Sequence, residues 1–201
     1  PMVTLTDSLQ PLMANLCDTS PARYKFLHYD IRTFTIPAQS SIVNLPKIYN
    51  YKTPSRLLMC FYQQDTFIGS KKKTPYHTAD NTELRLRKLS LIHNGLVARE
   101  FTPTVANNNY IEAFLAFTRF AKCESTPFCI DLDRYIEGST YFAADLLENC
   151  DSPEKESELL MSGYMGVEID FKEPTEKPYI FFIIGMSPSC FDVDKFNNVR
   201  Y

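Results

Sequence analysis

Two runs of alternating residues flank the dipeptide Asn94-Gly95, and no other feature constrains the fold as strongly. An Asn-Gly pair suits a type I′ turn, whose two central residues both need positive φ, and that turn joins adjacent antiparallel strands. Ahead of it, Glu83-Leu84-Arg85-Leu86-Arg87 alternates charged and apolar side chains. The alternation slips at Lys88 and resumes one residue out of phase in Leu89-Ser90-Leu91. A β-bulge near Arg87-Lys88 restores the facing. Residues 83–92 and 96–102 are therefore expected to pair antiparallel.

Other segments repeat the strand signal. Lys25 to Ile36 alternates and stops at Pro37. Arg56 to Gln63 holds the apolar run Leu57-Leu58-Met59-Cys60-Phe61-Tyr62 and reads as a central strand. Residues 166–172 keep strict period two, with one face apolar and one charged, and Glu173 to Pro178 turns the chain. Tyr179 to Ile184 is apolar on both faces, as in a buried central strand. Short extended pieces are expected at 128–132, 141–146 and 190–194, whereas 42–51 reads as irregular, broken by Pro46.

Helical signals are few. Tyr110 to Ala121 places Ile111, Phe114, Leu115 and Thr118 at helical spacing. A short helix is expected from Ser8, capped by Asp7, and it stops at Asp18-Thr19-Ser20-Pro21. Residues 151–158, DSPEKESE, read as a solvated insertion. Turn signals recur roughly every 8–12 residues, the spacing of sandwiches and barrels, and no βαβ alternation occurs. The reading is all-β with one or two short helices.

At 201 residues the chain suits one domain, placed at 22–201 after an N-terminal strand fragment and short helix at 1–21. Pro1-Met2 reads as a protease scar before an initiator Met, which makes Pro1 non-native. Phe 15 and Tyr 12 favour half-buried pleated surfaces. A net charge of −3 and a pI of 5.7 argue against direct nucleic-acid binding, which needs a basic excess. The six cysteines form no CxxC and lack zinc-ligand spacing, so reduced thiols are expected. No apolar run approaches the roughly 20 residues of a membrane helix. The expected setting is intracellular, not secreted.

Chemistry is sparse. The loop Gly69-Ser70-Lys71-Lys72-Lys73 invites a phosphate reading. A phosphate cradle needs two glycines, the order GK[ST] and a helix directly behind; here the order is G-S-K and Pro75 follows. A solvated loop is the plainer account. His28, His77 and His93 stand outside any metal or catalytic pattern, and no GxSxG motif occurs. Glu168 and Asp170 share one strand face, as any half-exposed strand would show, and Asp131-x-Asp133 lacks the rest of a calcium loop. No catalytic residue, metal ligand or cofactor is expected, and no enzymatic activity.

The order of segments carries a resemblance. FTIPAQ (34–39), PSRLLMCFYQQDTFIGSKKKTPY (54–76), LRLRKLSLIHNG (84–95), ANNNYIEAFLAF (106–117), AADL (143–146), GVEIDF (166–171) and YIFFIIGMSPSCFDVD (179–194) are collinear and cover most of 22–194. They resemble the hexon-like major capsid proteins of the Polinton/Maverick and adintovirus-like lineage. Residues 54–76 are the most specific part, with Pro54, Arg56, Phe67, Gly69, Ser70, Lys72 and Pro75 in pattern.

The resemblance implies an antiparallel jelly-roll β-sandwich. That family builds double jelly rolls that assemble as trimeric, pseudo-hexameric capsomers, and this chain matches the C-terminal half of such a protein. It is expected to be that portion, or a shortened single-domain descendant. Its function would be structural, by self-assembly within a virion, with other capsid or host proteins as further partners. The alternative is an accessory or domesticated single jelly roll that binds another protein. Because jelly-roll loops cluster at the sandwich ends, the candidate contacts are Phe67, Gly69, Ser70, Lys71, Lys72, Lys73 and Pro75, with Asn108 and Tyr110 from the 103–110 connection.

Overall fold

The structure, a computed structural model, describes residues 22–69, 77–79, 81–103, 110–123, 130–146, 161–193 and 199–200. Nine strands lie among them: β1 (Ala22–Ile36), β2 (Ile42–Thr53), β3 (Arg56–Gln63), β4 (Leu86–His93), β5 (Leu96–Phe101), β6 (Phe142–Asp145), β7 (Met161–Phe171), β8 (Tyr179–Val193) and β9 (Val199–Arg200). The helices are α1 (Gln64–Ile68), α2 (Asn81–Leu84), α3 (Tyr110–Cys123) and α4 (Leu132–Gly138). Two compact units share the chain: Tyr29–Ser187, and Pro1–His28 with Pro188–Tyr201.

The larger unit holds two sheets, ordered β1-β8-β3-β6 and β2-β7-β4-β5. The first strand pairs with the eighth, the second with the seventh, the third with the sixth and the fourth with the fifth. From β1 to β8, every connection except the β4–β5 turn crosses between sheets. A long hairpin rolled on itself gives this order, and the β3–β8 and β4–β7 pairings close the roll. The fold is an antiparallel jelly-roll β-sandwich.

Period-two patterning decides the core, because alternate side chains of a strand leave opposite faces. Leu57, Met59 and Phe61 of β3 meet Tyr179, Phe181 and Ile183 of β8 on the inner side of one sheet. Leu89 and Leu91 of β4, with Met165, Val167 and Ile169 of β7, supply the other. Phe61 lies 4.7 Å from Phe181, 6.3 Å from Phe142 and 6.4 Å from Phe171, ring to ring. Each such burial contributes about 1.5–3 kcal/mol.

The hairpin reading holds. β4 pairs with β5 antiparallel, with Asn94 at φ 51° and Gly95 at φ 83°. The bulge is present too, since Arg87 and Lys88 together oppose Asp170. The strand over 56–63, the helix at 110 and the buried strand from Tyr179 also match.

Four expectations change. Residues 42–51 are not irregular but lie within β2, a sheet edge; Pro46 is tolerated there because the register shifts between Leu45 and Tyr49. Opposite it, a Cβ on Gly166 would lie 2.8 Å from the Pro46 carbonyl oxygen, so only glycine admits the bulge. Residues 81–84 form a helical turn, and Arg85, at φ 48°, delays the strand to Leu86. Leu132 begins a helix instead of ending a strand, because the Asp131 carboxylate accepts the Arg134 N–H at 2.8 Å and caps it. The piece expected at 190–194 is the end of β8 as far as Val193. The expected N-terminal helix, residues 124–129 and the insertion 151–158 lie outside the described residues.

In the smaller unit, β9 pairs with the end of β8 through Asp192↔Arg200 and Val193↔Val199. Tyr24 stacks on Phe191 at 5.1 Å, and the Arg23 guanidinium donates to both Asp192 oxygens at 2.9 and 3.1 Å.

Candidate interaction surface

The segment behind β3 leaves the sandwich as helix α1. Its first residue is tied down by the Gln64 N–H donating to the Pro178 carbonyl at 3.2 Å. Gly69 closes it at φ 103°, donating its N–H to Thr66 at 3.2 Å. A Cβ there would touch nothing within 4 Å, so glycine serves the left-handed conformation and not close packing. Thr66 is buried, whereas Phe67 is 53% and Ile68 75% exposed.

Beyond residues 70–76 the chain is again pinned. The Ala79 N–H donates to the Phe61 carbonyl at 2.6 Å, and Thr78 N–H to Gly138 at 2.8 Å. The Thr78 hydroxyl in turn accepts the Thr140 N–H at 2.9 Å. Below α1, Gln63 donates to Glu83, whose carboxylate lies 3.6 Å from Lys177. The sandwich thus grips this connection on both sides.

Of the contact residues expected from sequence, Phe67 and Gly69 lie together on this end. Ser70, Lys71, Lys72, Lys73, Pro75 and Asn108 lie outside the described residues. Tyr110 is 3% exposed and belongs to the core cluster, so its ring is packing and not surface. Ile68 was missed; as an apolar residue beside Phe67 in a segment read as loop, it gave no periodic signal.

The two sheets differ on their outer faces. Across β4, β5 and β7 the outer face is charged and paired: Lys88 lies 3.8 Å from Glu100 and 3.9 Å from Glu168, and the Ser90 hydroxyl donates to Glu100 at 3.3 Å. Asp170 was expected on a half-exposed face, yet it is 7% exposed, because Arg87 from the bulge donates to its carboxylate. Glu168 and Asp170 each face a cation, Lys88 and Arg87.

The outer face of the β1-β8-β3-β6 sheet is apolar. Leu58 and Tyr62 of β3 adjoin Ile180, Phe182 and Ile184 of β8, all half-buried. The Tyr62 ring lies 6.1 Å from Phe182 and 6.3 Å from Phe67, which links the sheet face to exposed α1. Helix α3 covers one side, where Phe120, Ala143 and Met186 pack with Leu58, Phe117 and Ile184.

Burial also sets the titration of this face. It pushes the Cys60 thiol up to about 12, well away from the thiolate that nucleophilic chemistry needs. Burial likewise raises Tyr62, with Cys60 adding to it. Among the described residues no three His, Cys, Asp or Glu side chains gather as metal ligands would. His93 has a buried Nε2 without a partner, and His77 is exposed. No helix among them is long and apolar enough to cross a membrane.

No protein-family model matches this chain, and no curated protein matches it in sequence. Solved structures do. It is similar to a chain in the cryo-EM structure of the Sputnik virophage, with TM-score 0.50, 12% identity and 90% of this chain covered. Weaker likenesses are to the mavirus major capsid protein (TM-score 0.49, 8% identity, 90% covered) and the major capsid protein P2 of bacteriophage PM2 (0.40, 8%, 82%). The chain spans 39%, 41% and 45% of those chains. At such identities the likeness is one of fold.

Proposed function

We propose that this chain is a structural protein of a viral capsid, a hexon-like major capsid protein of the Polinton/Maverick and adintovirus-like lineage or the C-terminal jelly-roll portion of one. It acts by self-assembly, with other capsid components as partners, in trimeric capsomers of a virion. No catalytic step is assigned to it. The observation that carries this reading is the rolled strand order, first with eighth through fourth with fifth, with the Sputnik virophage likeness over 90% of the chain. The gripped connection behind β3 supports it, since it offers Phe67 and Ile68 to a neighbour from a fixed base.

Size-exclusion chromatography with light scattering at rising concentration tests the reading. Trimers or larger bodies are expected, lost on replacing Lys71, Lys72 and Lys73 by Ala together with Phe67→Ser. A persistent monomer that captures a stoichiometric foreign protein would replace this reading with that of a binding module.

A further inference from the structure

A sheet edge offers unpaired backbone groups, and natural sheets blunt it with short strands, proline, charge or bulges. Three of the four edges here are blunted. β6 has only four residues. β5 has six and carries Arg99 and Glu100. β2 has Pro46 at its register shift, flanked by Lys47, with Lys52 beyond. β1 ends its sheet as well, so one of its edges carries no strand among the described residues. It runs for 15 residues without proline or glycine.

Within the larger unit, β1 exposes Tyr29 (49%) and Ile31 (59%) on its outer face. Its inner face carries Asp30 and Arg32, an ion pair at 2.7 Å with each side chain 38% exposed. The Arg32 guanidinium also lies 4.2 Å over the Tyr49 ring and donates to the Ile48 carbonyl. Charges on the inner face of an edge strand repel a generic incoming strand, because pairing would strip them of water without compensation. One strand compensates them. A second copy of β1, antiparallel about a two-fold axis at Ile31, places Asp30 opposite Arg32 and Arg32 opposite Asp30. It also sets Ile31 against Ile31 and Tyr29 against Thr33. Opposite charges directly across a ladder attract, and a two-fold contact satisfies both copies at once.

We propose that the edge of β1 that carries no strand among the described residues is a homotypic contact, where two copies of this chain pair antiparallel around Ile31 and exchange the Asp30 and Arg32 partners. This contact lies on a strand edge, apart from the sandwich-end loops, and stands independently of the capsid reading.

Sedimentation velocity over a concentration series of the whole chain tests it. Wild type forms a reversible dimer. Asp30→Arg weakens it at least tenfold, because two arginines then face one another. Asp30→Arg with Arg32→Asp restores the dimer. Ile31→Cys, oxidised, gives a disulfide-linked dimer, since directly opposed residues lie within bridging distance. Ile42→Cys, on β2 and 64% exposed, does not. The proposal is overturned by an unchanged dimer in Asp30→Arg, by a double variant that stays dissociated, or by equal cross-linking of the two cysteine variants. Should Asp30→Arg fail to fold, the two cysteine variants decide. A β1 dimer that forms no larger body retains this proposal and sinks the capsid reading. Larger bodies indifferent to Asp30→Arg and to Ile31→Cys do the reverse.

Discussion

The side chain of Asn94 occupies the space where Gly163 would carry a Cβ. Such a carbon would overlap Asn94 Oδ1. Asn94 Oδ1 accepts the Tyr164 N–H at 3.0 Å, its Nδ2 donates to the Ser162 carbonyl at 3.4 Å, and its own N–H donates to the Tyr164 carbonyl at 3.0 Å. The β4–β5 turn is thereby fastened to the start of β7.

Gly163→Ala should therefore cost about 2–3 kcal/mol, since φ of 132° strains any Cβ and the amide must leave. Urea unfolding of the Asn94→Gly background isolates the clash. There the cost should fall by about 1 kcal/mol, leaving the backbone strain. Equal costs in both backgrounds would show that the two residues are not coupled.

Stability should fall on the alkaline side. Cys60 moves from 9.0 to about 12 and Tyr49 from 10.0 to about 12, both chiefly by burial. These folded values lie above the unfolded ones, so the neutral forms favour folding. That contribution is complete below about pH 9 and is lost as pH rises towards 12. Each group adds a slope of at most about 1.4 kcal/mol per pH unit. Cys60→Ala should flatten the slope between pH 9 and 10, measured by unfolding at fixed temperature.

Asp170 is buried against Arg87, which donates to its carboxylate. Arg87→Met should cost about 1–2 kcal/mol, because a carboxylate with 10% side-chain exposure loses its cation. Arg87→Lys should recover only part, lacking the paired N–H donors. Thermal unfolding checks both, and equal stabilities would show that water suffices for Asp170.

Phe67→Ser and Ile68→Ser remove exposed side chains and should leave unfolding within about 0.5 kcal/mol of wild type. Their effect should appear in light scattering instead, as smaller assemblies. A large loss of stability would mean that α1 belongs to the folding core.

Much of the fold was legible because its signals are local. Asn94-Gly95 announces its turn through φ alone, and the slip at Lys88 announces its bulge through period two. Other features were not. Pro46 reads as a breaker until β2 is known to be an edge with a register shift, and Asp131 reads as a stray acid until a helix starts behind it. On the candidate surface, Phe67 was legible from its motif, while Ile68 emerged only with the helix that exposes it. Tyr110 looks like a loop residue by position, yet the core takes its ring.

The sequence by itself determined the all-β class, the places of β1, β3, β4, β5, β6, β7 and β8, and where the central hairpin turns, because these depend on residues within a few positions of one another. Tertiary structure decided the rest. Which strands pair across the roll, that Arg87 covers Asp170, and that Gly163 must yield to Asn94 all involve residues far apart in the chain. Pairing of that kind is selected by packing and charge across the sheets, not by any local pattern.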